Sequence, residues 1–195
     1  MLQLIGVQGG SCVPEGGVVY DLGCSLGGAS FALQRFIPPS ASIHALDLSE
    51  AMIERLQEYV SQEGVDNIYP AVADVMSVAL QPCDLVVMNF TLQFIAPQWR
   101  EAVLAKIYQA LKPNGVLLLG QKVLAEDERV RLWHEAFKAS QGYSQMAIAQ
   151  KRESLESVMQ TDSFAVEEAR LHQVGFVDCY HYFRALSFNG WVAYK

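Results

Sequence analysis

Residues 18–30 restrict the fold of this chain more than any other stretch. The residues Val18, Val19 and Tyr20 lead into Asp21, and a glycine-rich turn then precedes a run with helix-like spacing. This order predicts a buried strand, a tight turn and the start of a helix, which together form the first half of a βαβ unit. Glycine is needed in such a turn because the backbone bends sharply and lets a ligand approach closely.

The glycine-rich turn is by itself compatible with three kinds of protein. Gly23, Ser25 and Gly27 match G-x-S-x-G, the nucleophile elbow of α/β-hydrolases. The same residues match a degraded G-x-G-x-x-G dinucleotide fingerprint in which Ser25 replaces the second glycine. With Asp21 included, the pattern becomes D-x-G-x-S-x-G, the form seen in enzymes that use S-adenosylmethionine (SAM). Asp21 would then stand near the methionine end of the ligand.

Buried strands alternate with amphipathic helices along most of the chain, and Ser49 is a good N-cap for one of the helices. Strands are expected at 42–47, 68–73, 83–90 and 116–120, and helices at 29–36, 50–63 and 97–111. A mostly helical insert within 125–162, broken near Gly142, precedes a helix at 164–173 and two strands at 176–183 and 185–194. Near-continuous apolar strands alternating with helices indicate a mostly parallel α/β sheet covered on both faces. We expect one domain over 1–195, in which 1–17 form a short N-terminal segment with an apolar helix at 1–7 and a loop from Gly9.

Four polar or glycine positions follow successive predicted parallel strands: Gly23, Asp47, Asp74 and Asn89. In an open α/β sheet the carboxyl ends of the strands form the ligand crevice. Asp47, 24 residues beyond Gly23, suits hydrogen bonds to two ribose hydroxyls, and Asp74 suits the amino group of adenine. The pattern therefore predicts a nucleoside site at this edge of the sheet.

The same pattern weighs against the two other interpretations. A nucleophile elbow normally comes well into the sheet with an oxyanion loop upstream, whereas 17 residues precede Val18 here. Ser25 also lacks an evident set of partners, although His172 or His181 could be proposed as its base. A nicotinamide enzyme would leave Asp21 and Asp74 unexplained and would need a second domain for its substrate.

Charge and composition favour small-molecule substrates. The formal net charge is −7 with a pI of about 5.0, whereas nucleic-acid binders usually carry a basic patch. No apolar run reaches the length of a membrane span, and no basic leader follows Met1, so a cytoplasmic protein without membrane contact is expected. The four cysteines are not clustered, so no metal site is expected.

Five segments together carry a family resemblance: 20–27 (YDLGCSLG), 89–94 (NFTLQF), 106–109 (KIYQ), 150–152 (QKR) and 169–172 (ARLH). Over the chain from Val18 onward, the sequence resembles the carboxy-S-adenosyl-L-methionine synthase family. The segments NFTLQF and QKR are far more specific than the glycine-rich turn. The resemblance implies a Rossmann-like class I methyltransferase fold with a mostly parallel seven-stranded sheet, an antiparallel C-terminal strand pair and a helical insert.

The resemblance also implies a reaction without methyl transfer. The family carboxylates the methyl group of SAM with prephenate and releases phenylpyruvate, in the bacterial pathway that makes 5-oxyacetyluridine at the tRNA wobble position. The implied ligands are SAM, carboxy-SAM or S-adenosylhomocysteine, without a metal, and the implied assembly is a homodimer. Two alternatives stay open: an ordinary SAM-dependent methyltransferase, possibly acting on tRNA, and a SAM-binding remnant without activity. The second is motivated by a family N-terminal segment, with a ligand-contacting tyrosine, that this sequence lacks.

The family's functional residues can be carried over onto matching positions of this sequence. The turn and the following strand ends would contact the ligand through Gly23, Cys24, Ser25, Asp47, Leu48, Asp74 and Val75. The resemblance implies two catalytic residues that also contact the ligand: Asn89 near the sulfonium centre, and Arg152 paired with the transferred carboxylate. A guanidinium suits that role because it binds a carboxylate through two parallel hydrogen bonds.

Overall fold

The computed structural model describes residues 1–125, 127–156 and 158–195 and contains a single mixed sheet. Within these residues seven strands lie in the order β3-β2-β1-β4-β5-β7-β6. They are β1 Val18–Leu22, β2 Ser42–Asp47, β3 Ile68–Val72, β4 Cys83–Asn89, β5 Leu111–Lys122, β6 Asp178–Ala185 and β7 Phe188–Tyr194. The first five are parallel, and β7 is antiparallel to both β5 and β6. The predicted sheet and its antiparallel C-terminal pair are confirmed.

Seven helices accompany the strands in the described part of the chain. They are α1 Leu2–Gly10, α2 Gly28–Gln34, α3 Glu50–Glu63, α4 Pro97–Ala110, α5 Glu128–Ser140, α6 Gln145–Glu156 and α7 Phe164–Val174, and a short 3₁₀ turn spans Leu92–Phe94. The predicted helical insert contains α5 and α6, separated by Gly142 with φ of +91°. Positions Glu126 and Ser157 of that predicted insert lie outside the described residues.

Local sequence signals set the bounds of α3. The hydroxyl of Ser49 accepts a hydrogen bond from the backbone N–H of Met52 at 3.4 Å, which confirms Ser49 as the N-cap. Gly64 ends the helix in the left-handed conformation, with φ of +64°. Ile53 and Leu56 face the core between these caps. The helix therefore begins and ends at the predicted residues.

The sheet separates two apolar cores, and successive residues of one strand face opposite cores. On β4, Val86 and Met88 belong to one core, whereas Leu85 and Val87 belong to the other. Helices α4 and α7 cover the first core, and α1, α2 and α3 cover the second. Strands buried on both faces need such continuous apolar sequences, and this arrangement leaves the carboxyl ends of β1–β4 at one common edge.

Three sequence-based boundaries are wrong. The last two strands are joined later than the expected 183–185, because β6 continues to Ala185, which pairs with Phe188. The predicted loop from Gly9 is helical, because α1 extends to Gly10 and packs tightly against α2. A Cβ atom on Gly9 would lie 2.3 Å from Leu33, and one on Gly10 would lie 2.5 Å from Phe36. These glycines serve close helix packing, which outweighs their low helix propensity. Strand β5 begins at Leu111, earlier than expected, because Leu111 pairs with Cys83 before the register shifts.

The structure contains no helix, within the residues it describes, that is both long and apolar enough to cross a membrane.

Candidate active site

A cavity of about 780 Å³ opens at the carboxyl ends of β1–β4. Its walls include seven of the predicted site residues: Gly23, Ser25, Asp47, Leu48, Asp74, Val75 and Asn89. A smaller cavity of about 240 Å³ shares Gly23, Ser25 and Asn89 with it and adds Asp21 and Cys24. The structure thus brings together every predicted ligand residue except Arg152.

The turn after β1 is fixed by close contacts that only glycine permits. Gly23 has φ of +77°, and its N–H donates a hydrogen bond to the carbonyl of Leu46 at 2.7 Å. A Cβ atom on Gly23 would lie 2.2 Å from Oγ1 of Thr91. Ser25 follows with φ of +50°, a left-handed conformation that is uncommon for residues other than glycine. The backbone of β1 therefore lies directly against the segment that follows β4.

Asp47 couples the end of β2 to this turn. One carboxylate oxygen accepts a hydrogen bond from the N–H of Ser25 at 2.8 Å, and the other accepts one from the N–H of Ser49 at 2.9 Å. Each oxygen keeps a free lone pair that can accept a hydroxyl proton. Leu48 beside it is 70% exposed and lines the cavity. This pair presents an acceptor and an apolar surface side by side.

Lys106 and Asp74 hold the loop that follows β3. The N–H of Met76 donates a hydrogen bond to the Asp74 carboxylate at 2.8 Å. From α4, the ammonium group of Lys106 donates to the carbonyls of Val75, Met76 and Val78. Asp74, Val75 and Met76 all line the cavity. The shape of this wall therefore depends on Lys106, which lies 30 positions after Met76 in the chain.

Asp21 and Asn89 each keep one buried oxygen atom that has no hydrogen-bond partner among the described residues. Burial raises the pKa of Asp21 to about 6, although the Ser30 hydroxyl and N–H both donate to its other oxygen. Gly120 on β5 makes room for Asn89, because a Cβ atom there would lie 2.3 Å from the amide oxygen. Buried unpaired acceptors are costly, so this corner suits a ligand that brings hydrogen-bond donors or positive charge.

Cys24 and Ser25 lack the surroundings of nucleophiles. Burial raises the pKa of the Cys24 thiol, and the carboxylates of Asp21 and Asp47 raise it further, so the thiol stays protonated. The Ser25 hydroxyl donates to the sulfur of Met52 at 3.7 Å. His181 lies on β6, four strand positions from β1 and thus about 19 Å away, and the imidazole of His172 on α7 hydrogen-bonds to the carbonyl of Phe176. The hydrolase interpretation is therefore not supported.

The wall contributed by the segment after β4 was missed by the sequence-based site prediction. It consists of Phe90, Thr91, Phe94, Ile95, Ala96 and Trp99. Phe90 adopts a left-handed conformation with φ of +61°, and Trp99 is 53% exposed beside the cavity. The clustered aromatic residues of NFTLQF were the available signal, because aromatic side chains near a glycine-rich turn provide stacking surfaces.

The structure places Arg152 on the exposed side of α6, where it lines a separate cavity of about 230 Å³. Its guanidinium forms an ion pair with Glu135 of α5 at 3.0 Å. No lining residue of this cavity is among those of the large cavity. The role of Arg152 toward a carboxylate stays a prediction.

The fold and the cavity define a SAM-dependent transferase built on the class I methyltransferase fold. Residues 19–115 match the family described as "Methyltransferase domain". The structure superposes on that of a SAM-dependent methyltransferase from Aquifex aeolicus with a TM-score of 0.68 at 16% sequence identity, covering 96% of this chain and 86% of the other.

Sequence comparison narrows this class to one family. The chain is 50% identical to the carboxy-S-adenosyl-L-methionine synthase of Dichelobacter nodosus, over 100% of this chain and 82% of that relative. It is 41% identical to the enzyme of the same name from Shewanella loihica, over 100% of this chain and 83% of that relative. The chain belongs to the carboxy-S-adenosyl-L-methionine synthase family.

Proposed function

We propose that this protein is a carboxy-SAM synthase that converts SAM and prephenate to carboxy-SAM and phenylpyruvate. The observation that carries this proposal is the identity with carboxy-SAM synthases along the whole chain. The product would serve the modification of the tRNA wobble uridine to 5-oxyacetyluridine. In this proposal SAM is a substrate that receives a carboxyl group on its methyl carbon.

The residues of the large cavity suit each part of SAM. Asp47 has lone pairs left for the two ribose hydroxyls, and Asp74 and Val75 lie at the wall expected to receive adenine. The unpaired oxygens of Asp21 and Asn89 suit the ammonium group of the methionine moiety and the positive field of the sulfonium. Gly23, Cys24 and Ser25 would contact the ligand through the turn, and Leu48 would add apolar surface.

Arg152 is proposed to pair with the transferred carboxylate, and Asn89 to lie near the sulfonium. A guanidinium near the methyl carbon has no use in methyl transfer, where it would face a cation, but it stabilises a carboxylate formed there. Arg152 is paired with Glu135 in this structure. The proposal therefore requires Arg152 to exchange or share that partner when the substrate carboxylate arrives.

Methyl transfer to another acceptor is the second candidate function. It is favoured by the position of Arg152, which lines a different cavity from Asn89. It is disfavoured by the names of the relatives and, for a tRNA acceptor, by the net charge of −7. A SAM-binding remnant without activity would show binding and no turnover.

We further propose that the protein acts as a homodimer in the cytoplasm, on small molecules and without direct contact to nucleic acid or membrane. The dimer proposal draws on exposed apolar side chains of the insert, including Trp133, Phe137 and Met146, which are 57%, 56% and 71% exposed. Exposed apolar patches of this kind commonly mark contacts between subunits.

Mass spectrometry of the reaction products tests the proposed function. The protein is incubated with SAM and prephenate, and with SAM alone. A product heavier than SAM by one carbon dioxide, formed only with prephenate and lost in Arg152→Ala, is the expected result. SAM that remains unchanged with prephenate would overturn the proposal and leave methyltransferase and inactive binder to be separated by acceptor screening.

A further inference from the structure

A basic cavity lies between β5, α5 and α6, and it is the cavity that Arg152 lines. Four basic side chains and one carboxylate contribute to its wall: Lys122, Arg131, Lys138, Arg152 and Glu135, with His134 beside them. This concentration of positive charge stands out in a chain whose net charge is −7. We call this site the basic cavity.

The two lysines of the basic cavity are not neutralised by the residues that the structure describes. Glu135 and Glu128 are engaged by Arg131, and Glu135 also pairs with Arg152 at 3.0 Å. Lys122 and Lys138 form no ion pair within residues 1–125, 127–156 and 158–195. Burial and then the charge of Lys138 lower the pKa of Lys122. Two lysines that line one partly buried cavity and have no ion pair among the described residues indicate a place for an anion.

His134 adds a third group under the same influence. Burial lowers the pKa of its imidazole, and the charges of Lys138 and Lys122 lower it further. The ring also packs edge-on against Phe188, with centroids 5.0 Å apart. A neutral imidazole next to two ammonium groups still offers an N–H donor to a carboxylate.

Phe188 lies between the basic cavity and the large cavity, packed against His134 of the first and Phe90 of the second. Phe188 packs edge-on against Phe90 with centroids 5.4 Å apart, and Phe90 lines the large cavity. The side-chain amide of Gln93 contacts the sulfur of Met159 at 3.1 Å, and Met159 lines the basic cavity. Phe188 therefore connects a residue of the proposed SAM site with a residue of the basic cavity, and the two cavities have no lining residue in common.

The lining of the basic cavity suits an anion with a hydrocarbon body. The apolar side chains of Ile148, Leu155 and Met159 also line this cavity. Inorganic anions would leave this apolar surface unused, whereas an aromatic oxo acid would place its carboxylate on the lysines and its carbon skeleton on these residues.

We propose that Lys122, His134 and Lys138 bind the carboxylate that stays on the carboxyl donor after transfer, which for prephenate is the carboxylate of the oxo-acid side chain. This inference rests on the proposed function, because it takes prephenate as the donor. Arg152, at the same cavity, is left for the carboxylate that moves to SAM. The basic cavity then orients the donor by its retained end, with Phe188 between it and the proposed SAM site.

Steady-state kinetics of Lys138→Gln test the proposal, because glutamine keeps the helix propensity of this α5 position while removing the charge. We expect the KM for prephenate to rise about tenfold or more, since a charge-assisted hydrogen bond is lost, while the KM for SAM changes little. Lys138→Arg should restore part of the affinity. Lys151→Gln is the matched control, because Lys151 is exposed on α6 and does not line the basic cavity.

Direct titration with phenylpyruvate separates this proposal from the proposed function. Phenylpyruvate keeps only the retained carboxylate, so its Kd should rise in Lys138→Gln and in Lys122→Gln but not in Lys151→Gln. Equal affinity in all four proteins, wild type included, would overturn the basic cavity as this subsite even if carboxy-SAM forms. Loss of affinity for carboxy-SAM instead would assign the lysines to the transferred carboxylate and also overturn it. Absence of product from wild type with prephenate would overturn the proposed function. The titration would then test only whether the basic cavity binds an oxo-acid carboxylate.

Discussion

Asp21 accepts two hydrogen bonds from Ser30 through one carboxylate oxygen, from the hydroxyl at 2.6 Å and from the backbone N–H at 3.1 Å. Its other oxygen is buried and has no partner among the described residues. Ser30 thus orients the carboxylate and joins the end of β1 to α2. The free oxygen is left at the smaller cavity beside Asn89.

The raised pKa of Asp21 gives a specific dependence of stability on pH. Its pKa is about 6 in the folded protein and 3.8 for an unperturbed aspartate, so the folded state binds this proton more tightly. The stability that Asp21 contributes is complete below about pH 4 and is lost as the pH rises to about 6. We predict that the free energy of unfolding of Asp21→Asn minus that of wild type increases by about 3 kcal/mol over this range and is constant above it. Urea denaturation at several pH values measures the difference.

A control of opposite sign accompanies this experiment. Arg129 holds the pKa of Asp127 below its usual range, so Asp127 contributes stability that is present at neutral pH and is lost on acidification. The difference between Asp127→Asn and wild type should therefore be flat between pH 4 and 6 and change in the other direction only on acidification below the usual aspartate pKa of 3.8. A flat difference for Asp21→Asn between pH 4 and 6 would contradict the assigned burial of its charge.

Substitution of Gly23 should destabilise the fold through backbone strain and through a steric clash. Gly16, which has a similar φ and no close neighbour, separates these two effects. Gly23→Ala adds left-handed strain and pushes a methyl group into Thr91, so we expect unfolding to cost about 3 kcal/mol less than in wild type. Gly16 has φ of +66° with no atom within 4 Å of an added Cβ, so Gly16→Ala should cost about 1 kcal/mol. Chemical denaturation of both variants compares the two losses. Equal losses would mean that the Thr91 side chain moves away from the added methyl group, so that the steric clash contributes nothing to the loss of stability.

Much of this nucleoside-type cavity follows from the sequence because each of its parts is encoded locally. Strand β2 and helix α3 have the predicted bounds, since the apolar run of β2 ends just before Ser49, and Ser49 and Gly64 directly flank α3. Gly23, Asp47, Asp74 and Asn89 meet at one cavity because parallel strands bring their carboxyl ends to the same edge. Local signals and one topological rule were sufficient here.

The remaining features depend on contacts between distant segments, which a single sequence does not specify. Helix α1 continues through Gly9 and Gly10 because they pack closely against Leu33 and Phe36. Arg152 pairs with Glu135, 17 positions earlier, because α5 packs against α6. The unpaired oxygen of Asp21 likewise depends on where every potential donor around it lies in the fold.

Arg100 joins the segment after β4 to the end of the helical insert, and its loss should destabilise the fold. The guanidinium is fully buried and donates hydrogen bonds to the carbonyls of Gln93, Ile95 and Gln160 and to the carboxylate of Asp162, at 2.6–3.2 Å. Arg100→Met removes these hydrogen bonds, and among the described residues the carbonyl of Gln93 alone keeps a second donor, the N–H of Gln160. We therefore predict a loss of about 3 kcal/mol in the free energy of unfolding. Thermal or urea denaturation measures the loss.

Arg55→Met is the control for removal of an arginine. Arg55 pairs with Glu58 on the exposed face of α3, with the two side chains 54% and 55% exposed. Such surface pairs contribute little, so we expect no measurable change. A similar change in the free energy of unfolding for both substitutions would show that the buried hydrogen bonds of Arg100 contribute no more stability than a surface ion pair.

Lys106 offers a way to weaken ligand binding from outside the cavity. Its ammonium group fixes the carbonyls of Val75, Met76 and Val78, whereas the lysine itself does not line the large cavity. Lys106→Met frees this loop, so SAM has to order it on binding, and we predict a fall in SAM affinity of about tenfold, or about 1.4 kcal/mol. Isothermal titration with SAM measures it, together with a thermal unfolding curve that should shift only slightly.

Lys112→Met is the matched substitution at the opposite end of the sheet. Lys112 pairs with Asp84 at 2.8 Å, near the first residues of β4 and β5, and we expect SAM affinity to remain at the wild-type value there. A fall in affinity that is the same in both variants would point to loss of positive charge in general, since each removes one lysine. A fall confined to Lys106→Met would instead assign the effect to the loop after β3, because only that lysine connects α4 to a wall of the cavity.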